Sequence, residues 1–437
     1  MLVLGLAKSG TSAAKILMEN DIKVRINDIS KKESKDIDAL RDMGADIILG
    51  SHPMSVLDDI DLVIKNPGIP YENMIVHEAV KRSTPVVTEI ELINYLISNP
   101  VIGITGSNGK TTTTMLVNEM LKMSECPVTI AGNIGLVASD VAVNLKTDET
   151  MVVELSSFQL QGTIHFKPHI AVLLNIYEAH LDYHKTLENY KRAKFGIFKN
   201  QTKDDYLIYN MDDPIVSEGV ESVESIHVPF SSVQKIESGA WVDDHYLYFK
   251  NEKIIELKTI ALVGTHNLEN ILAAVCASKI QGATNAGIRK VLTSFSGVKH
   301  RLQFVENIDG RLFYNDSKAT NVLATEKALT SFKQPTILLA GGLDRGNDYE
   351  ELIPSLKHVK AMIAFGETAP KLIETAKKAG IPVYRKVVDI IEATKLAYQL
   401  SEEDDVILLS PSCASWDQFK TFEERGDMFI QAVHRLK

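Results

Sequence analysis

Cysteine is scarce in this chain: Cys126, Cys276 and Cys413 are the only three, far apart and odd in number. They outline neither a disulfide framework nor a spaced metal cluster, so stability has to come from packed cores. Long apolar runs are missing too. No stretch approaches the roughly 18 residues that a membrane-crossing helix requires. A signal-peptide layout is absent from the N-terminus, and a cytoplasmic protein is expected. The chain has no long basic block and a net charge of −10, which leaves a nucleic-acid role without support. Solenoid repeats and low-complexity tracts are also lacking. What is present is 437 residues, 45% of them apolar, enough for two or three domains with substantial cores.

The most informative stretch is GITGSNGKTTTT at 103–114. An apolar run, PVIGI, leads into Gly106, Ser107, Asn108, Gly109, Lys110, Thr111 and Thr112, and the helix formers MLVNEMLKM follow. Strand, glycine-rich turn and helix in that order make the context of a phosphate-binding loop. Glycines let backbone N–H groups close around phosphate oxygens, and the helix N-terminus adds partial positive charge. Lys110 can reach the outer phosphates of ATP, and the Thr111 hydroxyl can face Mg²⁺. Ile104 stands where the usual spacing has glycine.

Around this loop the pattern predicts an α/β chain of three domains, 1–92, 93–297 and 298–437. The first opens with a strand, MLVLG, a turn, GLAKSG, a helix from 13 to 20 and a second strand ending at Asp28, which is a Rossmann-like opening. A dinucleotide and a sugar nucleotide both fit it. A linker is expected across 88–100. In the second domain, strands are expected at 149–156 and 169–176, and an antiparallel elaboration from about 203 to 260. The third domain reads as an open parallel sheet with strands at 311–316, 336–342, 361–366, 382–386 and 405–410.

Several side chains have chemical promise. Glu154 ends the apolar strand MVVE, where a carboxylate is costly unless paired or bound to a cation such as Mg²⁺. His180 follows another strand and can be a ligand, a base or a loop residue. Lys194, on a half-apolar helix, gains no function from spacing alone. His266, Asn267 and Asn270 surround a helix start; the two asparagines, one turn apart, can face a nucleobase, or Asn267 can be an N-cap. Polar strand ends at Asn315–Lys318, Gly341–Arg345, Gly366–Glu367 and Ser410–Ser412 suit ligand binding. Ser156 and Ser157 lack a nucleophile elbow, and Cys413 has no histidine partner in sequence. An ATP-using ligase or kinase fits this set best.

As a set, TGSNGKTTTT, AGNIG (131–135), ELSSFQL (154–160), GTHNLENILAA (264–274), HRL (300–302) and YNDSKATN (314–321) resemble the ATP-dependent Mur peptide ligases of bacterial cell-wall synthesis. GLAKSG, PGI (67–69), GGLDRG (341–346) and SPSCASWDQF (410–419) resemble the branch that adds D-glutamate to UDP-N-acetylmuramoyl-L-alanine. The resemblance implies a Rossmann-like first domain, a phosphate-loop ATPase in the middle and a Rossmann-like C-terminal domain. It implies an acyl-phosphate mechanism with ATP and two Mg²⁺ ions. Lys110 would hold the β- and γ-phosphates; Thr111 and Glu154 would serve one Mg²⁺ and His180 the other. Lys194 would be carbamylated (N6-carboxylysine) and help place that second ion. Ala7, Lys8, Ser9, Asp28, Ile29, Asn66 and Gly68 match uridine-diphosphate surroundings, and Asn133, Ser156 and Gln159 the muramoyl-alanine path. Asn267, Asn270, Arg301 and Asp316 match ATP contacts. Lys318, Thr320, Arg345, Ser415 and Phe422 match the D-glutamate region. Ala179 and Arg345 depart from members that carry Asp and Lys there. The alternative is a related Mur or folylpolyglutamate-type ligase adding another amino acid. A monomer acting on these small molecules is expected.

Overall fold

The computed structural model describes residues 1–31, 33–262 and 264–436, without the side chains of Thr265 and His266. The expectation for His266 therefore lies outside the described residues. The chain forms two compact units, Met1–Ile260 with His266–Leu292, and Ala261–Thr265 with Thr293–Lys437.

The first unit contains two sheets. β1 (Leu2–Leu4), β2 (Arg25–Asp28), β3 (Asp46–Leu49), β4 (Val63–Lys65) and β5 (Val86–Val87) form a parallel sheet in the order β3-β2-β1-β4-β5. The strand order reverses between β1 and β4, the crevice where ligands of open α/β sheets bind. The first helix runs Lys8–Glu19, so it starts inside the expected turn. Gly10 makes this possible: a Cβ there would lie 1.9 Å from the Gly5 carbonyl oxygen, so only glycine lets the helix start this close to β1.

The second sheet takes β6 (Val101–Thr105), β7 (Val128–Gly132), β8 (Thr150–Glu154), β9 (Ile170–Leu173), β10 (Tyr206–Asn210), β11 (Ile226–Ser231), β12 (Ala240–Val242), β13 (Tyr246–Phe249) and β14 (Glu252–Glu256). Their order is β14-β13-β12-β11-β10-β9-β6-β8-β7. The expected antiparallel elaboration needs correction: β10 and β11 extend the parallel sheet, and only β12, β13 and β14 pair antiparallel. Leu207, Ile208 and Tyr209 are all buried, as strands covered on both faces require, so their short apolar run did not mean a one-sided hairpin.

The expected linker is packed structure. Glu89–Leu92 and Ile93–Leu96 are short helical turns. The Glu91 carboxylate accepts backbone N–H groups of Ile164, His165 and Phe166 at 2.8, 2.7 and 3.2 Å, tying the two sheets together.

In the second unit, β15 (Gln303–Ile308), β16 (Arg311–Asn315), β17 (Thr336–Gly341), β18 (Val359–Phe365), β19 (Val383–Lys386) and β20 (Val406–Leu409) lie in the order β15-β16-β20-β17-β18-β19. All neighbours are parallel except β15 and β16, a hairpin whose second strand falls within the expected 311–316 and whose first strand, β15, is absent from the expected set. Its turn is Asp309-Gly310, with φ of 49° and 79°, the left-handed pair that a tight hairpin favours.

Candidate active site

The phosphate loop leaves β6 and enters the helix Lys110–Met123. Its shape is fixed from three sides. Asn175, just beyond β9, accepts the Asn108 N–H on its side-chain oxygen at 2.9 Å and the Ser107 N–H on its carbonyl at 3.0 Å. The Ser107 hydroxyl is 2.9 Å from the Tyr190 hydroxyl and also takes the Tyr177 N–H at 2.9 Å. Asn270 sits on Gly109, where a Cβ would come within 2.0 Å of its side-chain oxygen; Gly109 has φ 83°. Asn267 accepts a hydrogen bond from Asn270 at 3.2 Å, and both are buried. Asn267 lies inside the helix Thr265–Ile280, which rules out its N-cap reading. Thr111 and Thr112 are buried in the first turn of the loop's helix.

Three cationic or acidic groups converge here. The Lys110 ammonium donates to the carbonyls of Gly106 and Ser107 at 2.8 and 3.1 Å. The Lys194 ammonium, 1% exposed, donates to the same Gly106 carbonyl at 2.7 Å. Burial first, then the neighbouring Lys110 charge, hold Lys194 well below the usual lysine range, while Glu154 works against them. Glu154 is 1% exposed; one carboxylate oxygen accepts from the Asn133 amide at 2.8 Å, and the other has no hydrogen-bond partner among the described residues. A buried oxygen of this kind is costly unless a cation meets it. Glu154 and the Thr111 hydroxyl are hard oxygen donors, which suits Mg²⁺. No group of three or more His, Cys, Asp or Glu suited to a metal occurs among the described residues, so such an ion would need phosphate oxygens or a modified side chain as well.

His180 has φ 56° and precedes the one-turn helix Leu181–His184. Packing around the ring, then the charges of Lys110 and Lys194, push it below the usual histidine value, favouring the neutral imidazole that can ligate a metal. Ser156 and Gln159 form a capping box on the helix Ser157–Leu160: the Gln159 side-chain oxygen accepts the Ser156 N–H at 2.9 Å. Sequence reasoning missed His184 beside them. Its Nε2 lies 2.9 Å from the Ser157 hydroxyl, and its ring stacks on Phe158 at 5.4 Å. Burial, then His180, push it down to about 4.

The expected uridine-side residues gather at the carboxyl ends of β1, β2 and β4. Ala7 precedes the first helix, and Lys8 and Ser9 begin it; the Asn66 amide donates to the Ser9 hydroxyl at 3.1 Å, and the Gly68 N–H to Asn66 at 3.1 Å. Asp28 accepts the N–H groups of Leu6 and Ser30 at 2.6 and 2.7 Å, so it shapes two turns, and Ile29 beside it is exposed.

In the second unit, Asp316 directly follows β16 and is buried. It accepts from the Leu302 N–H at 3.1 Å and the Ser410 hydroxyl at 2.8 Å, and burial lifts its carboxyl to about 7. Arg301 and Thr320 are half-buried nearby in sequence. The Lys318 ammonium lies 5.6 Å from the Phe422 ring, and the Arg345 guanidinium lies 4.7 Å above the exposed Trp416 ring. The Ser415 hydroxyl is buried with no hydrogen-bond partner among the described residues. Arg425, fully buried and missed in sequence, donates to the carbonyls of Gly341, Ser317 and Cys413 at 3.2, 2.9 and 3.0 Å, which fixes three loops at the β17–β20 crevice. A cavity of about 600 Å³ at the ends of β18 and β19 is lined by Glu367, Lys386 and Asp417; none of the expected amino-acid residues lines it.

A phosphate loop beside a buried carboxylate and a buried amine, in a chain that also carries two further open α/β sheets, is the arrangement of a nucleotide-dependent enzyme. The chain matches the Mur ligase middle domain over residues 104–278, the Mur ligase glutamate ligase domain over 300–413 and the MurD-like N-terminal domain over 1–88. It is 60% identical over 438 residues to the UDP-N-acetylmuramoylalanine–D-glutamate ligase of Oceanobacillus iheyensis, covering 100% of this chain and 98% of that one. The enzyme of the same name from Bacillus subtilis is 55% identical over 439 residues, covering 100% and 97%. The solved UDP-N-acetylmuramate-alanine ligase MurC of Thermotoga maritima shares the fold, with a TM-score of 0.59 at 19% identity over 100% and 99% of the two chains. The protein belongs to the Mur ligase family, in its MurD-like branch.

Proposed function

We infer that the protein is an ATP-dependent ligase that joins D-glutamate to the L-alanine carboxylate of UDP-N-acetylmuramoyl-L-alanine, a step of peptidoglycan synthesis. One observation carries the chemistry: Lys110, Lys194 and the partnerless oxygen of Glu154 converge on a single phosphate loop within one compact unit. The choice of D-glutamate is supported by relatives of that name matching from end to end. Residues 1–92 would bind the uridine nucleotide, 93–297 ATP and 298–437 the amino acid.

A carboxylate is a poor electrophile. Transfer of the γ-phosphoryl group from ATP to the L-alanine carboxylate gives an acyl phosphate and ADP. The D-glutamate amine then attacks, and the amide forms as phosphate leaves. Bound Mg²⁺ would neutralise charge between the carboxylate and the triphosphate. Thr111 and Glu154 fit one ion and His180 a second. The loop N–H groups and Lys110 orient the phosphates and stabilise transferring charge. Burial and the neighbouring Lys110 charge favour the neutral amine of Lys194, the form that adds to CO₂; its carbamate would place an anionic ligand at that buried position. Asn133 orients Glu154 through their hydrogen bond. In the second unit, Lys318, Arg345 and the Ser415 hydroxyl offer charge and hydrogen bonds for a dicarboxylic amino acid.

Mass spectrometry of the product from UDP-N-acetylmuramoyl-L-alanine, ATP and labelled D-glutamate tests this reading. The expected product carries one labelled glutamate in an amide. Faster phosphate release with L-alanine or L-glutamate than with D-glutamate would reject it in favour of a related ligase.

A further inference from the structure

Lys65 is among the largest fully buried side chains of the molecule, at 1% exposure. Its ammonium makes no ion pair among the described residues. It donates to the carbonyls of Pro67 and Ile69 at 3.3 and 2.9 Å and to the Tyr183 hydroxyl at 3.2 Å. That hydroxyl can donate to the same two carbonyls, at 3.2 and 3.1 Å. Mere closure of a strand end needs only an apolar side chain of that volume, without the desolvation of a charge.

What the cluster joins is specific. On one side is the turn 66–69, whose Asn66 is bonded to Ser9 at the start of the first helix. On the other is Leu181–His184, bracketed by His180 and Lys185 at φ 56° and 67°. Left-handed conformations are unfavourable for residues bearing a Cβ and persist where the surroundings hold them. The Tyr183 ring meets Phe158 edge-on at 4.6 Å, and Phe158 meets His180 at 5.0 Å. One unbroken path of contacts thus runs from Ser9 to His180, all within the first unit.

We propose that Lys65 and Tyr183 are positioning residues that latch the His180 segment to the turn beside the uridine nucleotide, so that acceptor binding sets the imidazole in place. This rests on the functional reading given above for both ends. Occupancy of the first sheet's crevice stiffens the turn; the shared carbonyls pass that restraint to Tyr183, and the strained segment stays in the conformation that presents His180.

Hydrogen exchange of the segment 178–186 tests the latch in the full-length, metal-free protein with and without UDP-N-acetylmuramoyl-L-alanine. Binding slows exchange severalfold in the native chain. In Tyr183→Phe and Lys65→Met, calorimetry still detects binding, but the slowing is lost. In turnover, both variants need about tenfold more Mg²⁺ for half-maximal rate, as when a group orienting a metal ligand is removed. Native-like slowing in the variants, or none in the native chain despite binding, overturns the latch. If Lys65→Met fails to fold, Tyr183→Phe decides alone, because it keeps the ring and loses only the hydroxyl. A native chain that neither binds the sugar nucleotide nor makes the amide overturns the functional reading, and the latch with it.

Discussion

Replacing Asp316 by asparagine tests how the second unit tolerates a buried carboxyl. Burial lifts this group from 3.8 to about 7, against the opposing effect of its Ser410 and Leu302 hydrogen bonds. The folded chain therefore binds the proton more tightly than the unfolded chain does. The resulting stability is fully present below about pH 4, declines as pH rises and is gone above about 7. Three pH units correspond to about 4 kcal/mol at most. Asparagine keeps an oxygen for the Leu302 N–H, and Ser410 can turn its hydroxyl to accept from the amide. At pH 8.5, Asp316→Asn should therefore be more stable than the native chain by about 2–4 kcal/mol. At pH 4 the two should be nearly equal. Only Trp241 and Trp416 are present in the sequence, and Trp416 lies in the second unit. Urea unfolding followed by its fluorescence, in a Trp241→Phe background, reads that unit alone. An Asn variant no more stable at pH 8.5 than the native chain, or a stability difference independent of pH, would refute the reasoning.

Other outcomes follow from the first unit. Lys110→Ala should abolish phosphate release and leave uridine-nucleotide binding nearly intact; loss of both in equilibrium binding would contradict that division of labour. Gly109→Ala places a Cβ 2.0 Å from the Asn270 side-chain oxygen at φ 83°, so ATP affinity by calorimetry should fall about tenfold or more, the equivalent of about 1–2 kcal/mol of left-handed strain. An unchanged affinity would show that the loop shifts freely. In buffer stripped of CO₂, phosphate release should slow and recover on adding bicarbonate, and Lys194→Gln should not respond; indifference of the native chain to bicarbonate would count against the carbamate.

Much of this molecule is written locally. The glycines, Lys110 and Thr111 of the phosphate loop are contiguous, and their strand and helix flanks carry their own signals, so the loop is legible without a partner. The β15–β16 hairpin was legible in principle through Asp309-Gly310, but β15 is half-exposed and lacks a strong apolar alternation. The parallel β10 and β11 looked like hairpin strands because a short apolar run does not say which edge it joins. Lys194 read as a lysine draped over a helix; its meaning came from family likeness alone until the fold buried its ammonium against Gly106. Lys65, His184 and Arg425 gave no sequence signal. Each is an ordinary residue whose partners lie in distant segments, such as Tyr183 for Lys65 and Cys413 for Arg425.

The sequence by itself determined the phosphate loop and most of the strands, because propensity, glycine placement and apolar pattern act over a few residues. It also determined the family, through motifs spaced along the chain. Only the tertiary structure decided which charges leave water and which carbonyls receive them. Desolvation and hydrogen bonding depend on atoms brought together from far along the chain, and no local stretch of residues specifies them.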